Sequence, residues 1–212
     1  LPSGKLGVHD EHMFDIFHSE LNKLPEPFMS TLFTLSSHSP YDFPAEHSIS
    51  FNHRQDEYVN SVNYTDKCLG DFMIKVKDEP WYQNTLFIIV ADHSHNSPIY
   101  RRLAQKERFK IPMLWYGDVL KDEYKARKMN RLGSHIDISS TLLGQLNIDY
   151  SEFNFSTNLF NRSAYLIPYA FPKGYGIIKA REYYAFSERY QKVIENNAKT
   201  KKDKKKIKKE AE

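Results

Sequence analysis

The sequence has a single cysteine, Cys68, so no disulfide can form within the chain. Cys68 lies on the apolar side of a helical pattern, which favours a buried, inert thiol over a reactive one. No run of 18 apolar residues is present, and the first residues lack the pattern of a signal peptide. On these grounds we expect this stretch of chain to be soluble by itself.

Two further absences narrow the possible functions. The sequence has no glycine-rich phosphate loop, which argues against nucleotide binding of the kind that such a loop supports. Basic residues are not in excess outside the C-terminus. Residues 199–212 hold eight lysines against three acids, which leaves 22 basic and 24 acidic residues elsewhere. The body of the protein is therefore slightly acidic despite the overall charge of +3, and we expect no nucleic-acid partner.

Apolar residues are plentiful and regularly spaced. With 40% hydrophobic and 14% aromatic residues, 212 residues are enough for a packed core. Apolar runs at 28–35, 85–91 and 110–116 predict strands, and three- and four-residue spacing over 56–78 predicts a helix. Because a helix between two apolar strands is typical of a β–α–β unit, we expect the three strands to lie parallel in one sheet.

Two shorter helices are also indicated. One begins near Asp10, which is a candidate N-cap, and the other covers 137–146, with Asp137 as its candidate N-cap. The spacing of the second helix places Thr141 and Leu146 among its inward-facing residues.

The character of the sequence changes beyond about residue 153. Short aromatic runs separated by Pro and Gly turns predict antiparallel strands. We therefore divide the chain into the main part of a three-layer α/β domain (1–152), an antiparallel element of the same domain (153–195) and a Lys-rich tail (196–212). The tail is either helical or disordered.

Three polar clusters lie close to the ends of predicted elements. They are SSHSP at 36–40, DHSH at 92–95 and GSHID at 133–137. In open α/β sheets, ligands bind at the carboxyl ends of parallel strands. We therefore expect His38, Asp92, His93 and His135 to gather at one edge of the sheet.

Asp92 and His93 are the sharpest candidates, because a carboxylate oxygen beside an imidazole nitrogen suits Zn²⁺ or Mn²⁺. The ordinary alternative is that Asp92 caps a helix and His93 lies in a surface loop. His38 is either a ligand of an anionic oxygen or a loop histidine, and His135 is either a ligand or part of a capping loop.

The other polar residues at element ends are weaker candidates. The histidines of the first helix, His9, His12 and His18, are expected to be solvated. Ser36 and Ser37 have no specified base, so loop serines are favoured over nucleophiles.

The clusters, in this order, resemble the C-terminal half of the sulfatase-type catalytic domain of lipoteichoic acid synthase-like phosphoglycerol transferases, in the alkaline-phosphatase superfamily. The matching stretches are GVHDEHMFD, PFMSTLFTLSSHSPYDFP, YVNSVNYTDKCLGDF, PWYQNTLFIIVADHSH, FKIPMLWYG and SHIDISSTLLGQLNID. They cover about residues 7–160. The resemblance implies an alkaline-phosphatase-like sandwich with a mainly parallel sheet.

The resemblance also implies roles for individual residues. The metal-binding Asp-His pair of the family corresponds to Asp92 and His93, and its substrate-contacting His corresponds to His38. His95 aligns with a variable position near the site and is expected to contact phosphate. His135 resembles the position of a further metal ligand in alkaline phosphatase-like enzymes, which many of the transferases lack. Ser140 stands where the family usually has Pro.

The function implied is metal-dependent phosphoglycerol or phosphoethanolamine transfer at the outer face of a bacterial membrane, with Mn²⁺, Zn²⁺ or Mg²⁺. The family's metal-binding Glu and its nucleophilic Thr have no counterpart here, so we expect them, and the membrane helices, upstream of residue 1. No catalytic nucleophile is therefore assigned within the chain, and its partners would be the N-terminal half and an anionic lipid-linked or ester substrate. The alternatives are a sulfatase or phosphodiesterase on the same fold and a non-catalytic binding domain.

Overall fold

The computed structural model describes residues 1–51, 55–96, 99–162 and 164–211. Ser163, within the predicted antiparallel element, and Glu212, at the end of the predicted tail, lie outside the described residues. The chain divides into two compact units. The first unit comprises Leu1–Ile89, Asn96–Tyr100 and Leu114–Asp122, and the second comprises Val90–His95, Arg101–Met113 and Glu123–Glu212.

The first unit is built on two packed helices, α1 (Asp10–Leu21) and α2 (Asp56–Lys75). The helix predicted over 56–78 is confirmed, its last turn being the 3-10 turn Val76–Asp78. Phe14 of α1 contacts Phe72 of α2, with ring centroids 5.1 Å apart and ring planes tilted by 35°. Cys68 faces the same core and is 5% exposed, and burial raises the pKa of its thiol, as expected for an inert cysteine.

Segment 28–35, predicted as a strand, is described throughout but forms no strand, so that prediction is wrong. Phe28 and Leu32 pack against the helical core, whereas Met29 and Phe33 are 84% and 68% exposed. A strand needs a neighbouring strand to bond its backbone. The apolar side chains of this segment are instead held against helices on one side only.

The two other predicted strands are present in shorter form, as β1 (Phe87–Val90) and β2 (Met113–Tyr116), and they pair with each other. The ends that meet show that the pair is antiparallel, not parallel as predicted. Ala91 N donates to Pro112 O, and a Cβ on Gly117 would lie 2.4 Å from Thr85 O. Gly117 has a φ of +143°, so only glycine fits this close approach.

The connection between β1 and β2 explains the direction of pairing. A parallel pair needs a long crossover, which is usually an α-helix. The described part of this connection holds only the 3-10 turn Lys106–Phe109, so the chain returns along the strand it has just left.

The second unit contains α3 (Asp137–Gln145), four strands and α4 (Lys201–Ala211). The strands β3 (Ile167–Phe171), β4 (Gly174–Lys179), β5 (Glu182–Ser187) and β6 (Lys192–Asn196) form one sheet in sequence order. Every pairing is antiparallel, which confirms the prediction for this region.

This four-stranded sheet is covered on both faces. Ile177 and Tyr184 pack with Ile207 of α4 on one face. Tyr169 and Ala185 pack with Ala104 on the other, and Tyr169 Oη donates to Ala104 O at 3.1 Å. The Lys-rich tail is therefore helical from Lys201 to Ala211, because the sheet offers its apolar side a surface.

The starts of α1 and α3 differ from prediction. Neither Asp10 nor Asp137 is an N-cap, since the N-cap residues are His9 and Ile136. Both carboxylates instead bond backbone far along the chain, as described below. The inward-facing assignment of Leu146 is also wrong, because it follows α3 and is 57% exposed. Within the described residues, no helix is long and apolar enough to cross a bilayer.

Candidate metal and substrate site

Asp92 and His93 follow β1 directly and project into solvent. Their side chains are 53% and 69% exposed. Asp92 Oδ1 accepts a hydrogen bond from His93 N at 2.8 Å, which fixes the carboxylate beside the imidazole. His93 Nδ1 lies 2.9 Å from Ser94 O and must donate to it, since a carbonyl only accepts. The lone pair of the neutral ring is therefore on Nε2.

The spacing of the two free atoms fits a shared cation. His93 Nε2 lies 3.6 Å from Asp92 Oδ2. Two ligands that each lie about 2.1 Å from a tetrahedral ion are about 3.4 Å apart. The bond from Nδ1 to Ser94 O also orients the ring, as a carbonyl behind a ligating histidine usually does. The pair can hold one divalent ion with little rearrangement.

His135 lies against the same strand end. Its Nε2 donates to Ala91 O at 2.8 Å, one residue before Asp92, and its Nδ1 remains as the possible ligand atom. Among the described residues, however, no three His, Cys, Asp or Glu side chains gather into a group that could hold a metal. A metal-binding role for His135 therefore stays a prediction.

His95 belongs to the same segment but has a different environment. Burial lowers the pKa of its imidazole, and the nearby His93 and Arg108 lower it further. This shift favours a neutral His95 near pH 7, which could donate a hydrogen bond but would carry little charge. The predicted contact with phosphate stays a prediction.

His38 lies in the first unit, in the turn that follows Leu35. Its ring is exposed, and Nδ1 donates to Ser39 O at 2.7 Å, which leaves Nε2 toward solvent. It lines a shallow pocket, shared with residues 4–9 and with Asp42. The predicted gathering of His38 with Asp92 and His93 stays a prediction.

Ser36 does not have the environment of a nucleophile. It is 6% exposed, and its Oγ accepts a hydrogen bond from Asp10 N at 3.0 Å. The hydroxyl thus satisfies a backbone N–H in the first turn of α1.

The histidines of α1 were expected to be solvated, and that is wrong for two of them. His9 is 8% exposed. His18 Nε2 lies 2.5 Å from Glu79 Oε1, and this contact with His18, followed by Asn22, holds the pKa of Glu79 below its usual value. The histidine thus joins α1 to the end of α2.

Two buried carboxylates carry the local structure and were missed. Asp10 is 1% exposed and accepts from Leu35 N, Ser36 N and Thr65 Oγ1 at 2.7–3.0 Å. Asp137 is also 1% exposed and accepts from Ser134 N and Thr157 N, both at 2.7 Å. Asp10 thereby anchors the turn that carries His38, and Asp137 anchors the loop that carries His135. The only sequence signal was an Asp at each helix start, which reads as an ordinary cap.

Comparison with known proteins decides the family. The sulfatase family model matches residues 2–148, which is more than half of the chain. The chain belongs to the sulfatase family. The matched region of this sulfatase-family chain includes the candidate site residues His38, Asp92, His93, His95 and His135.

Curated relatives of this sulfatase-family chain include a lipoteichoic acid synthase-like protein and lipoteichoic acid synthases. The lipoteichoic acid synthase-like YvgJ of Bacillus subtilis is 25% identical over 161 residues, which cover 68% of this chain and 26% of YvgJ. Lipoteichoic acid synthase 1 of B. subtilis is 26% identical over 172 residues, covering 74% and 27%. The Staphylococcus aureus synthase is 25% identical over 175 residues, covering 74% and 26%.

Two solved structures share the fold. A protein in the alkaline phosphatase superfamily from Vibrio parahaemolyticus superposes with a TM-score of 0.76 at 25% identity, covering 99% of this chain and 54% of that one. The lipoteichoic acid synthase LtaP of Listeria monocytogenes superposes with a TM-score of 0.71 at 20% identity, covering 99% and 58%. These likenesses show an α/β fold of that superfamily. The chain spans about a quarter of the length of the curated relatives.

Proposed function

We propose that this chain carries the Asp-His half of the metal site of a phosphoglycerol- or phosphoethanolamine-type transferase. The observation that supports it best is the pair Asp92 and His93 at the end of β1, with Oδ2 and Nε2 spaced for one ion. The family match and the synthase relatives support this reaction class. The proposal covers the longer protein, which would hold the Glu, the nucleophilic Thr and the membrane helices upstream and act at the outer face of a bacterial membrane.

The candidate site residues would have different roles in binding the metal and the substrate. A divalent ion, Mn²⁺, Zn²⁺ or Mg²⁺, held by Asp92 and His93 would polarise a phosphoryl oxygen. His38 is exposed with Nε2 unencumbered, so it can accept a proton from an incoming alcohol when neutral, or donate to an anionic oxygen when protonated. His95 would contact phosphate, and His135 would support the metal or its neighbouring strand end.

The test uses the longer protein with Asp92→Ala and His93→Ala. We expect each variant to lose divalent-metal-dependent cleavage of a glycerophospho-lipid substrate, and to lose Mn²⁺ binding measured by calorimetry. The matched control is Asp71→Ala, which removes an equally exposed carboxylate from α2. If either site variant keeps normal activity and normal Mn²⁺ affinity, that residue is not a ligand.

A hydrolase is the second candidate, because the matching family model is that of the sulfatases. A sulfatase or phosphodiesterase would use the same Asp92 and His93. The two functions are separated by offering the longer protein a chromogenic sulfate ester, a chromogenic phosphodiester and a lipid-linked donor with a glycerol acceptor. Transfer to the acceptor that exceeds release to water supports the transferase, and the reverse supports the hydrolase.

The 212-residue chain by itself is expected to be inactive. Two ligands of a presumed four-ligand site hold a metal weakly, and misplacement of reacting groups by about 1 Å costs on the order of 100-fold in rate. Chromogenic phosphodiester and sulfate assays with Mn²⁺, Mg²⁺ or Zn²⁺, run beside Asp92→Ala, check this. Turnover that disappears in Asp92→Ala would show that the chain holds its own nucleophile. If the longer protein is inactive in the same assays as well, this chain would instead be part of a non-catalytic binding domain.

A further inference from the structure

The C-terminal helix α4 presents a continuous lysine surface, which we call the lysine face. Its seven lysines are all exposed: Lys201, Lys202, Lys204, Lys205, Lys206, Lys208 and Lys209. Because an α-helix turns by about 100° per residue, these lysines lie within an arc of about 200°. The other described residues of α4 fill the remaining arc of roughly 100°. They are Asp203, Ile207, Glu210 and Ala211.

The side of α4 opposite the lysine face, which includes Ile207 and Glu210, packs on the sheet, so the lysine face points outward. Ile207 is 1% exposed and packs among Ile177, Tyr184 and Ala198. Near the helix end, Lys179 Nζ of β4 donates to Glu210 Oε1 at 2.6 Å. One apolar and one ionic contact, about a turn apart, fix the rotation of the helix about its axis.

Both acidic residues of α4 have hydrogen-bond partners outside the lysine face. Thr200 Oγ1 donates to Asp203 Oδ2 at 2.6 Å and accepts from Asp203 N at 3.0 Å, which caps the helix start. Glu210 is occupied by Lys179 and by Tyr165 Oη. No acidic residue of α4 therefore lies among the seven lysines, and their positive charge is concentrated on one face.

We propose that the lysine face binds anionic lipid headgroups at a membrane surface. Clusters of four to eight basic residues on one helix side are the usual means of such binding. The face has no apolar or aromatic side chain, so it can neither insert into the bilayer core nor stack on bases. It has lysine rather than arginine, so it lacks the planar fork that pairs with bases. The lysine face therefore binds by electrostatic attraction to a surface with many negative charges, without specific contacts.

This inference stands apart from the proposed catalytic function, since none of the site residues lies on α4. It also differs from anchoring by apolar helices, because the attraction should be reversible and weakened by salt. It would hold the four-stranded sheet close to the lipid, with α4 as the contacting layer.

The test measures sedimentation of the 212-residue chain with vesicles of phosphatidylglycerol and phosphatidylcholine, against vesicles of phosphatidylcholine alone. We expect binding only to the anionic vesicles, and its loss at high salt. The variant K202Q/K205Q/K209Q removes three central lysines with a good helix former. At roughly fivefold for each lysine near an anionic surface, it should weaken binding by about 100-fold.

The matched control is K5Q/K77Q/K110Q, which lowers the net charge equally at three exposed lysines outside α4. We expect it to bind as the parent does, with both variants showing unchanged circular dichroism. Equal weakening in the two variants would overturn the proposal in favour of net charge. Salt-sensitive binding of duplex DNA that exceeds vesicle binding at the same phosphate concentration would overturn it in favour of nucleic acid.

Discussion

The chain has an Asp and a His adjacent in sequence at two places that differ in solvent exposure. One is His9–Asp10 at the start of α1, and the other is Asp92–His93 after β1. Asp10 is 1% exposed, and its two oxygens accept three hydrogen bonds from distant parts of the first unit. The Asp92 side chain is 53% exposed, and it accepts a hydrogen bond from the N–H of the next residue, His93. A saturated, buried carboxylate supports the fold, whereas an exposed one beside an imidazole is available to a ligand.

Asp137 and His135 repeat the contrast within one loop. The carboxylate is buried and bonded to Ser134 N and Thr157 N, whereas the histidine is exposed. Asp137 thus holds the loop from which His135 projects, as Asp10 holds the turn from which His38 projects. The comparison therefore predicts that stability depends on the buried Asp10 and Asp137, and that function depends on the exposed Asp92.

The largest effect on stability is expected for Asp10→Ala. The change leaves Leu35 N, Ser36 N and Thr65 Oγ1 without their acceptor, which should cost about 3–5 kcal/mol. For a chain of this size that lowers the melting temperature by roughly 10 °C. Thermal and urea unfolding check it. Asp15→Ala, on the exposed side of α1 and paired with Lys75, is the control and should change stability by less than about 1 kcal/mol.

A smaller loss of stability is expected for Asp137→Ala. Two backbone N–H groups lose their acceptor here as well, but the hydroxyl contact, from Ser134 Oγ, is long at 3.3 Å, against 2.7 Å for Thr65 Oγ1 on Asp10. We expect about 2–3 kcal/mol, measured by urea unfolding. Glu152→Ala, at an exposed position in the following loop, is the control. A change of less than about 0.5 kcal/mol for Asp137→Ala would contradict the role of the carboxylate as an anchor.

The docking of α4 should depend on pH through Glu210. The hydrogen bond from Lys179 is the main cause that lowers the pKa of Glu210 below 4.5, and Tyr165 lowers it further. Since the folded pKa is the lower one, the carboxylate stabilises docking fully above about pH 4.5, and this is lost as the pH falls through the folded value. The protection of α4 amides against hydrogen exchange, measured relative to the intrinsic exchange rate at each pH, should therefore fall in acid by up to about fivefold. Glu210→Gln should show the lower protection already at pH 7, with little further change in acid.

The smallest effect on stability is expected for Asp92→Ala. Among the described residues, only the N–H of His93 loses its acceptor. This exposed loop lies within reach of water, so the change should be within about 0.5 kcal/mol. Urea unfolding without metal checks it, beside Asp10→Ala under the same conditions. A cost above about 2 kcal/mol would mean that Asp92 is a structural residue and would remove the contrast with Asp10.

Part of the fold could be predicted because it depends on local pattern. The spacing of apolar residues over Asp56–Lys75 indicated α2, and the aromatic runs between Pro and Gly indicated the antiparallel strands β3 to β6. The apolar run ending in Asp92 and His93 likewise placed these residues directly after β1. Periodicity and turn composition act over a few residues, so they can be read along the chain.

Other features of the fold depended on contacts between residues that are far apart in the sequence. Segment 28–35 has the composition of a strand, yet it packs on α1 and α2 without forming a ladder. The direction of β2 followed from the returning connection, which apolar composition does not encode. The burial of Asp10 and Asp137 required backbone N–H groups from 20 or more residues away, such as Ser36 N and Thr157 N.

The sequence by itself determined the α/β composition, the positions of most helices and strands, the family resemblance and the order of the candidate site residues. Tertiary structure alone decided which aspartates are buried and saturated, which face of α4 carries the lysines outward, and that Asp92 Oδ2 and His93 Nε2 stand 3.6 Å apart. The physical reason is that residue type sets what a side chain can bond. Packing decides whether the protein backbone has already taken those bonds or has left them for a ligand.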